Sequence, residues 1–173
     1  MKGVIFNALK EMMEEKFGKE KWESVLAKSG IEKETSILAT DNILDERIVR
    51  IINSICGELK IDLKTAGEAF GEYWMCHYAP KIYSAFFVGA NSAKDFLLKM
   101  DKVHLMVTQN IEGANPPRFE YEWLNDKTLL MTYKSKRNLM EIFVGLVKGV
   151  GKYYKENLDV TSAGHNKVRI IFS

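Results

Sequence analysis

The hydrophobic period of the chain first changes at residues 113–117, which read GANPP. Before this segment, apolar residues recur every three or four positions, which is the spacing of amphipathic helices. After it, Phe119, Tyr121 and Trp123 alternate with polar residues, which is the spacing of a half-buried strand. The sequence therefore predicts an α+β fold in which a helical N-terminal lobe packs on a C-terminal lobe with helices and an antiparallel sheet.

Helical spacing covers most of the chain before residue 110. The predicted helices are 4–17, 19–29, 45–59, 62–70, 71–78, 82–88, 93–108 and, later, 142–154. Pro80 is expected to break the chain before residue 82, because proline lacks the amide proton of a helix interior. The helix at 93–108 is expected to carry Phe96, Met100 and His104 on one face.

The predicted strands follow the GANPP segment. They are 119–123 and 128–136, joined by a turn at 125–127, and 167–172 at the end of the chain. We find neither an internal repeat nor a linker-like change of composition. We therefore expect one domain at 1–173, with a helical lobe at 1–65 and a mixed α/β lobe at 66–173.

Charge and cysteine content exclude several classes of protein. Lys and Arg number 25 against 23 Asp and Glu, and this balance gives no electrostatic reason to expect nucleic acid or a membrane surface as partner. Cys56 and Cys76 lack the close spacing of a disulfide framework or a zinc site. The N-terminus has no signal-peptide pattern and no stretch is long enough for a membrane span, so we expect a cytoplasmic protein.

Three polar residues share one side of the second predicted strand. Tyr133, Ser135 and Arg137 stand two residues apart, so a strand would direct them to the same face. Their donors suit a ligand with more than one carboxylate or phosphate, and arginine adds a bidentate fork. An ordinary solvated strand face is the alternative interpretation.

His104 is the second candidate, because an imidazole on the apolar face of a helix must satisfy its nitrogens or bind something. It could be a hydrogen-bonded core histidine, or the proximal ligand of a haem iron. For His77 and His165 we expect exposed positions without a special role. A buried histidine together with donors for two carboxylates matches what a haem needs at its iron and its propionates.

Three stretches of the sequence resemble one known family. They are the opening MKGVIFN, the run FLLKMDKVHLMVTQNIEGANPPRF around His104, and the Y-x-S-x-R motif in YKSKR at 133–137. Together they resemble the haem nitric oxide/oxygen binding (H-NOX) domains, the bacterial relatives of the sensor domain of soluble guanylate cyclase. The resemblance covers essentially the whole chain and keeps the order and spacing of the motifs.

The resemblance implies a ferrous haem b held between the two lobes. It implies that His104 is the proximal iron ligand and that Pro117 presses on the haem and distorts it from planarity. The residues that would bind the propionates are Tyr133, Ser135 and Arg137. The expected pocket walls, which would also fit an ordinary core, are Ile5, Phe143 and Leu146.

The residues on the distal side of the haem decide which gas binds. Oxygen-binding members carry a tyrosine on the helix after the Y-x-S-x-R motif, and ungapped alignment places Ile142 there. Leu9 stands where the oxygen binders tend to carry a polar aromatic residue. Bound O2 gains from a nearby donor, whereas NO on ferrous haem needs little polar help. The resemblance therefore implies a sensor of NO and CO that excludes O2.

The implied role is that of a sensor and not of an enzyme. NO would weaken the bond between iron and His104, free the histidine's helix, and let the haem relax against Pro117 and Ile5. A partner protein would read the resulting shift of the lobes. The expected partner is a histidine kinase, a cyclic-di-GMP enzyme or a chemotaxis receptor.

Three alternatives stay open. The domain could bind O2 if Trp74 or Tyr78 supplied the distal donor. It could be a haem-free ligand-binding domain of the same fold. It could also be an enzyme with His104 as general base and a dicarboxylate or phosphate substrate held by the Tyr-Ser-Arg motif, although no phosphate loop, metal-ligand cluster or nucleophile elbow accompanies these residues.

Overall fold

The structure, a computed structural model, describes residues 1–31 and 36–173. The α-helices are α1 (Gly3–Phe17), α2 (Lys19–Lys28), α3 (Asp45–Leu59), α4 (Leu63–Tyr73), α5 (Ala79–Ile82), α6 (Ser84–Phe87), α7 (Ala93–Leu98), α8 (Met100–Thr108) and α9 (Met140–Tyr154), with a π-helical turn at Trp74–Tyr78. The strands are β1 (Arg118–Asn125), β2 (Thr128–Lys134), β3 (Leu158–Ser162) and β4 (Lys167–Phe172). No helix within this described part has the length and apolar character needed to cross a membrane.

The predicted α+β class is confirmed. The described residues form a four-stranded antiparallel sheet in the order β1-β2-β4-β3. Sequence analysis missed β3 because Val160 is its one buried residue, which is too little alternation to recognise. The predicted strand at 128–136 ends earlier, at Lys134, since a turn at 136–137 leads the chain into α9.

The predicted helix break at Pro80 is wrong. Helical backbone continues from α4 through the π-helical turn into α5, where Pro80 occupies one of the first two positions. Directly before Pro80 the hydrogen bonds widen to π spacing, with the Ala79 amide donating to the Trp74 carbonyl, so Pro80 follows a local irregularity of the helix and does not end it. The break falls at Tyr83 instead, so the predicted helix 82–88 is replaced by α5 and α6. The predicted division before Gly71 is also absent, because Gly71 lies inside α4.

The predicted helix 93–108 is two helices. α7 ends at Leu98 and α8 begins at Met100, with Lys99 between them in a turn. The hydroxyl of Tyr121 contacts the backbone on both sides of this break. A side chain inserted into the helical hydrogen bonds is a known cause of such interruptions. The expectation that one continuous helix carries Phe96, Met100 and His104 is therefore wrong, although all three side chains still meet the same core cluster.

The chain divides into two compact units, the first made of Met1–Ala66 and Ile111–Asn115. In this unit α1 packs on α2, and α2 packs on α3. Phe6 and Trp22 meet edge to face with ring centroids 5.5 Å apart. The isoleucines of α3, spaced at 48, 51, 52 and 55, are buried, as their helical period predicts.

Residues 111–115 belong to the first unit although both neighbouring segments of the chain belong to the second. The ammonium group of Lys2 donates to the carbonyl oxygen of Glu112 at 2.8 Å. Gly113 has a φ of +67°, and a Cβ at this position would lie 3.0 Å from the side-chain nitrogen Nδ2 of Asn42. Glycine therefore meets both a backbone and a space requirement here.

The second unit consists of Gly67–Asn110 and Pro116–Ser173. Its core lies between the sheet and the helices α7 and α9, and the largest fully buried side chains there are Leu97, Leu129, Met131, Val147 and Ile170. β2 and β4 are the central strands, which explains why their inward residues are almost completely buried.

Helices α4 and α9 touch backbone to backbone inside this unit. Gly67 and Gly71 of α4 face Gly145 and Gly149 of α9. A Cβ at Gly67 would lie 2.5 Å from the Glu141 carbonyl oxygen, and a Cβ at Gly145 would overlap the carbonyl of Gly67. Glycines four residues apart on both helices permit this approach, and no larger residue would.

We expect Gly145→Ala to destabilise the protein by about 3 kcal/mol, the upper end of the range for overpacking, because its methyl group meets rigid backbone. The matched control is Gly57→Ala in α3, where a Cβ meets nothing within 4 Å. That change should stabilise by up to about 1 kcal/mol through helix propensity. Urea unfolding measures both, and equal stabilities of the two variants would contradict the backbone contact.

Candidate functional site

His104 lies in α8, and its side chain has an unsatisfied buried nitrogen. Nδ1 is buried and has no hydrogen-bond partner among the described residues. Burial lowers the pKa of His104 to about 4, and the nearby Asp101 carboxylate offsets this only in part. The imidazole is therefore neutral at pH 7, which is the form that binds a metal ion. A buried polar atom without a partner costs free energy, so this ring is suited to binding a group from outside the chain.

Phe119 brings the predicted site residues together. It stands directly opposite Tyr133 in the pairing of β1 with β2. Its ring lies 5.2 Å from the His104 ring, 6.1 Å from Tyr133 and 5.4 Å from Phe143. Tyr133 and Phe143 stack at 5.0 Å, nearly parallel. His104, Tyr133 and Phe143 thus line one aromatic cluster in which Phe119 is the central residue.

Asp101 fastens the start of α8 to β1. Its Oδ1 accepts from Arg118 Nε at 2.8 Å and from the Phe119 amide at 2.9 Å, and its Oδ2 accepts from Arg118 Nη2 at 2.6 Å. This bidentate fork is a strong, directional ion pair. The hydrogen bonds from Arg118 are the main cause that lowers the pKa of Asp101 to about 2. The carboxylate that binds the Phe119 backbone therefore stands one helical turn before His104.

The predicted Tyr-Ser-Arg motif (Tyr133, Ser135 and Arg137) lies only partly on a strand. Tyr133 is buried in β2, whereas Ser135 and Arg137 follow the strand end and are half-buried. Ser135 Oγ accepts from the Arg137 amide at 3.2 Å, which closes a local turn. The exposed residues Lys134 and Lys136 alternate with these three less exposed residues. The expectation of a continuous strand face is wrong beyond Lys134.

The remaining predicted residues fall in both units. Pro117 immediately precedes β1 and is half-buried, as is Ile5 in α1 of the first unit. Leu9 is buried in α1. His77 and His165 are exposed, as predicted. The proposed contacts of Pro117, Ile5 and Leu9 with a ligand stay predictions.

Three predicted distal residues, Ile142, Trp74 and Tyr78, and two predicted pocket walls, Phe143 and Leu146, lie beside the contact of α4 with α9. Ile142 and Phe143 are buried in α9, and Leu146 is half-buried there. Trp74 and Tyr78 stack at 5.5 Å in the π-helical turn after α4, and Trp74 packs against the core cluster that contains Phe143. Irregular π-helical turns are frequent at functional sites.

Sequence analysis missed three residues of this site. Phe119 and Tyr121 were recognised only as alternating strand residues, and Asp101 only as part of a helix. The alternation does place Phe119 and Tyr121 on one face of β1, but which helix that face meets is a tertiary property. Asp101 precedes His104 by three residues, so the shared helix face was the available signal.

Comparisons with known proteins agree with one another. The family model described as Haem-NO-binding matches residues 2–162. The soluble guanylate cyclase gcy-32 of Caenorhabditis elegans is 28% identical over 166 residues, covering 93% of this chain and 24% of the relative. The chain thus spans about a quarter of the length of the curated relatives it matches.

Solved H-NOX structures have the same fold. One is described as an oxygen-binding H-NOX domain related to soluble guanylate cyclases, in its oxygen complex, with a TM-score of 0.82 and 26% identity over 99% of this chain and 95% of that one. A second, from work on the mechanism of H-NOX activation, has a TM-score of 0.85 and 26% identity over 99% and 96% of the two chains.

The ion pair of Asp101 generates a pH-dependent prediction. Because its pKa is lower in the folded protein, its contribution to stability is complete above about pH 4 and is lost as the pH falls toward about 2. Asp101→Asn should therefore show a weaker loss of stability than wild type between about pH 4 and pH 2. Urea unfolding at each pH measures this, and Asp126→Asn, in the exposed β1–β2 turn, should behave like wild type. Parallel pH profiles for wild type and Asp101→Asn would contradict the assignment.

Proposed function

Because the chain belongs to the Haem-NO-binding family, we propose that it senses NO and CO at ferrous haem b and excludes O2. A haem-binding gas sensor of the soluble guanylate cyclase type is what the family and the related structures establish for this domain, and such a domain is not itself an enzyme. The choice of gas, the haem type, the mechanism and a cytoplasmic location are our proposals.

The residues present fit a haem. The observation that carries the proposal is the buried, unpartnered Nδ1 of a neutral His104 imidazole. Coordination at one ring nitrogen would fix the tautomer and leave the other nitrogen to donate to an acceptor. The His104 ring contacts Phe119 at the edge of an aromatic cluster suited to an apolar macrocycle, and the phenol, hydroxyl and guanidinium groups of Tyr133, Ser135 and Arg137 suit two propionates.

The apolar side chain at residue 142 supports NO over O2. Ile142 is buried and offers no donor. The ferrous iron would supply the gas-binding position, and bound O2, which carries partial negative charge, would find no hydrogen bond from this side chain. Oxygen binding with Trp74 or Tyr78 as the donor is the alternative, because both residues lie in the adjacent π-helical turn and both carry a hydrogen-bond donor.

The signal would begin with His104. We propose that His104 would hold the iron, and that binding of NO would weaken this attachment and leave α8 held mainly through its first turn. The residues of α8 are half-buried or exposed, whereas α9 has a buried face, so less packing opposes movement of α8 than of α9. Pro117 and Ile5 would meet a haem that relaxes toward planarity, and a histidine kinase, a cyclic-di-GMP enzyme or a chemotaxis receptor would read the change.

An absorption spectrum of the reduced, haem-loaded protein tests this function. We expect iron with a single protein ligand, a change on anaerobic addition of NO that signals loss of the histidine, and no stable oxygen complex in air. A stable oxygen complex would contradict the exclusion of O2. Failure to retain haem would favour the haem-free ligand-binding alternative.

Ile142→Tyr adds the missing donor. We expect its O2 affinity to exceed that of Ile142→Phe by about tenfold or more, the value of one hydrogen bond to a partly charged acceptor. Ile142→Phe is the matched control because it adds the ring without the hydroxyl. Oxygen titration of the reduced proteins measures the difference. Equal affinities would mean that Trp74, Tyr78 or access to the iron controls discrimination.

A further inference from the structure

A hydroxyl group joins the helix of His104 to the preceding helix. In a continuous α-helix the amide of Asp101 would donate to the carbonyl of Leu97, four residues earlier. Here the Tyr121 hydroxyl stands between these two groups. It accepts from the Asp101 amide at 3.2 Å and donates to the Leu97 carbonyl at 2.9 Å. One proton and two lone pairs allow a hydroxyl to do both at once.

Tyr121 reaches this position from the sheet. It lies in β1, where it pairs with Met131 of the central strand β2. Burial raises the pKa of Tyr121 to about 12, so its hydroxyl keeps the proton that it donates to Leu97 at neutral pH. Because Tyr121 is paired with the central strand β2, its backbone position is fixed, and the hydroxyl reaches α8 from a rigid strand.

The insertion determines where α8 begins. Helical hydrogen bonding resumes with the Val103 amide, which donates to the Lys99 carbonyl at 3.0 Å. The backbone amide of Asp101 donates to the Tyr121 hydroxyl. The carboxylate of the same residue accepts from Arg118 and from the Phe119 amide. β1 therefore contacts the first turn of α8 at backbone and side chain, and His104 follows one turn later.

We propose that Tyr121 is a positioning residue for His104, which keeps α7 and α8 apart and sets the direction from which the imidazole meets its ligand. The inference rests on the proposed function, since it takes His104 as the iron ligand. Without the hydroxyl, the Leu97 carbonyl and the Asp101 amide lose their partner and satisfy each other by closing into one helix. The direction of α8, and with it that of His104, then changes.

The attachment of α8 to β1 also affects how His104 dissociates from its ligand. Because β1 holds the first turn of α8, this end of the helix stays in place when a ligand of His104 moves, and the bond at His104 takes up the difference. Without the Tyr121 contact, α8 has one attachment to β1 fewer and follows the ligand more easily. More of the NO complex should then retain its histidine.

The test compares Tyr121→Phe with Tyr154→Phe in the haem-loaded protein. Tyr154 is a matched control, since its hydroxyl is buried without a hydrogen-bond partner among the described residues and its ring lies 5.8 Å from that of Phe96 in α7. A crystal structure of Tyr121→Phe should show one helix across Lys99. The ratio of NO complex with histidine to NO complex without it should rise about fivefold, the lower end of an ordinary coupling between sites. Tyr154→Phe should match wild type in both measurements.

Persistence of the break at Lys99 in Tyr121→Phe would overturn the proposal, and so would an equal spectral change in the two variants. If wild type retains no haem, or if NO never displaces its histidine, the proposed function fails and the positioning role falls with it. A closed helix with a wild-type NO spectrum would contradict the positioning role alone, so the two failures are distinguishable.

Discussion

The contact between α4 and α9 is the constraint on which the rest of the second unit depends. Glycines at 67, 71, 145 and 149 bring two backbones together, and rigid carbonyl groups leave no space for a side chain. The contact places Ile142, Phe143 and Leu146 on one helix beside the π-helical turn that follows the other. Ion pairs of Lys148 with Glu68 and of Lys152 with Glu72 flank it at the surface, where they contribute little to stability. Close backbone approach, rather than charge, sets the geometry of these predicted pocket residues.

A different kind of constraint holds the histidine helix. α9 is held by its buried face, whereas the residues of α8 are half-buried or exposed and the helix depends on polar contacts from β1 at its first turn. A helix attached mainly at one end is suited to a sensor, because losing one further attachment can change its position at small cost. The domain therefore carries Ile142 and Phe143 on a tightly packed helix, α9, and His104 on a less tightly packed helix, α8.

Much of the fold was predictable because hydrophobic period is a local property. The long helices α1, α3 and α9 and the β1–β2 hairpin follow from it directly. The failures have physical causes that lie outside each segment. A tyrosine from another strand divides the helix predicted at 93–108, Gly71 stays helical because α9 packs on it, and Pro80 follows a π-helical turn without ending the helix. Part of the candidate site, Phe119 and Asp101, also escaped prediction, because their role depends on which elements meet.

The sequence by itself determined the α+β class, the family resemblance and the candidacy of His104, Tyr133, Ser135 and Arg137, since each rests on residue type and spacing along the chain. Only the tertiary structure decided that the His104 ring contacts that of Phe119, that Asp101 and Tyr121 fasten its helix, and that the Tyr-Ser-Arg motif leaves its strand after Lys134. The reason is that a periodic pattern identifies the buried face of an element but not the element that covers it. Directional contacts such as a hydroxyl between two backbone groups appear only when the elements are assembled.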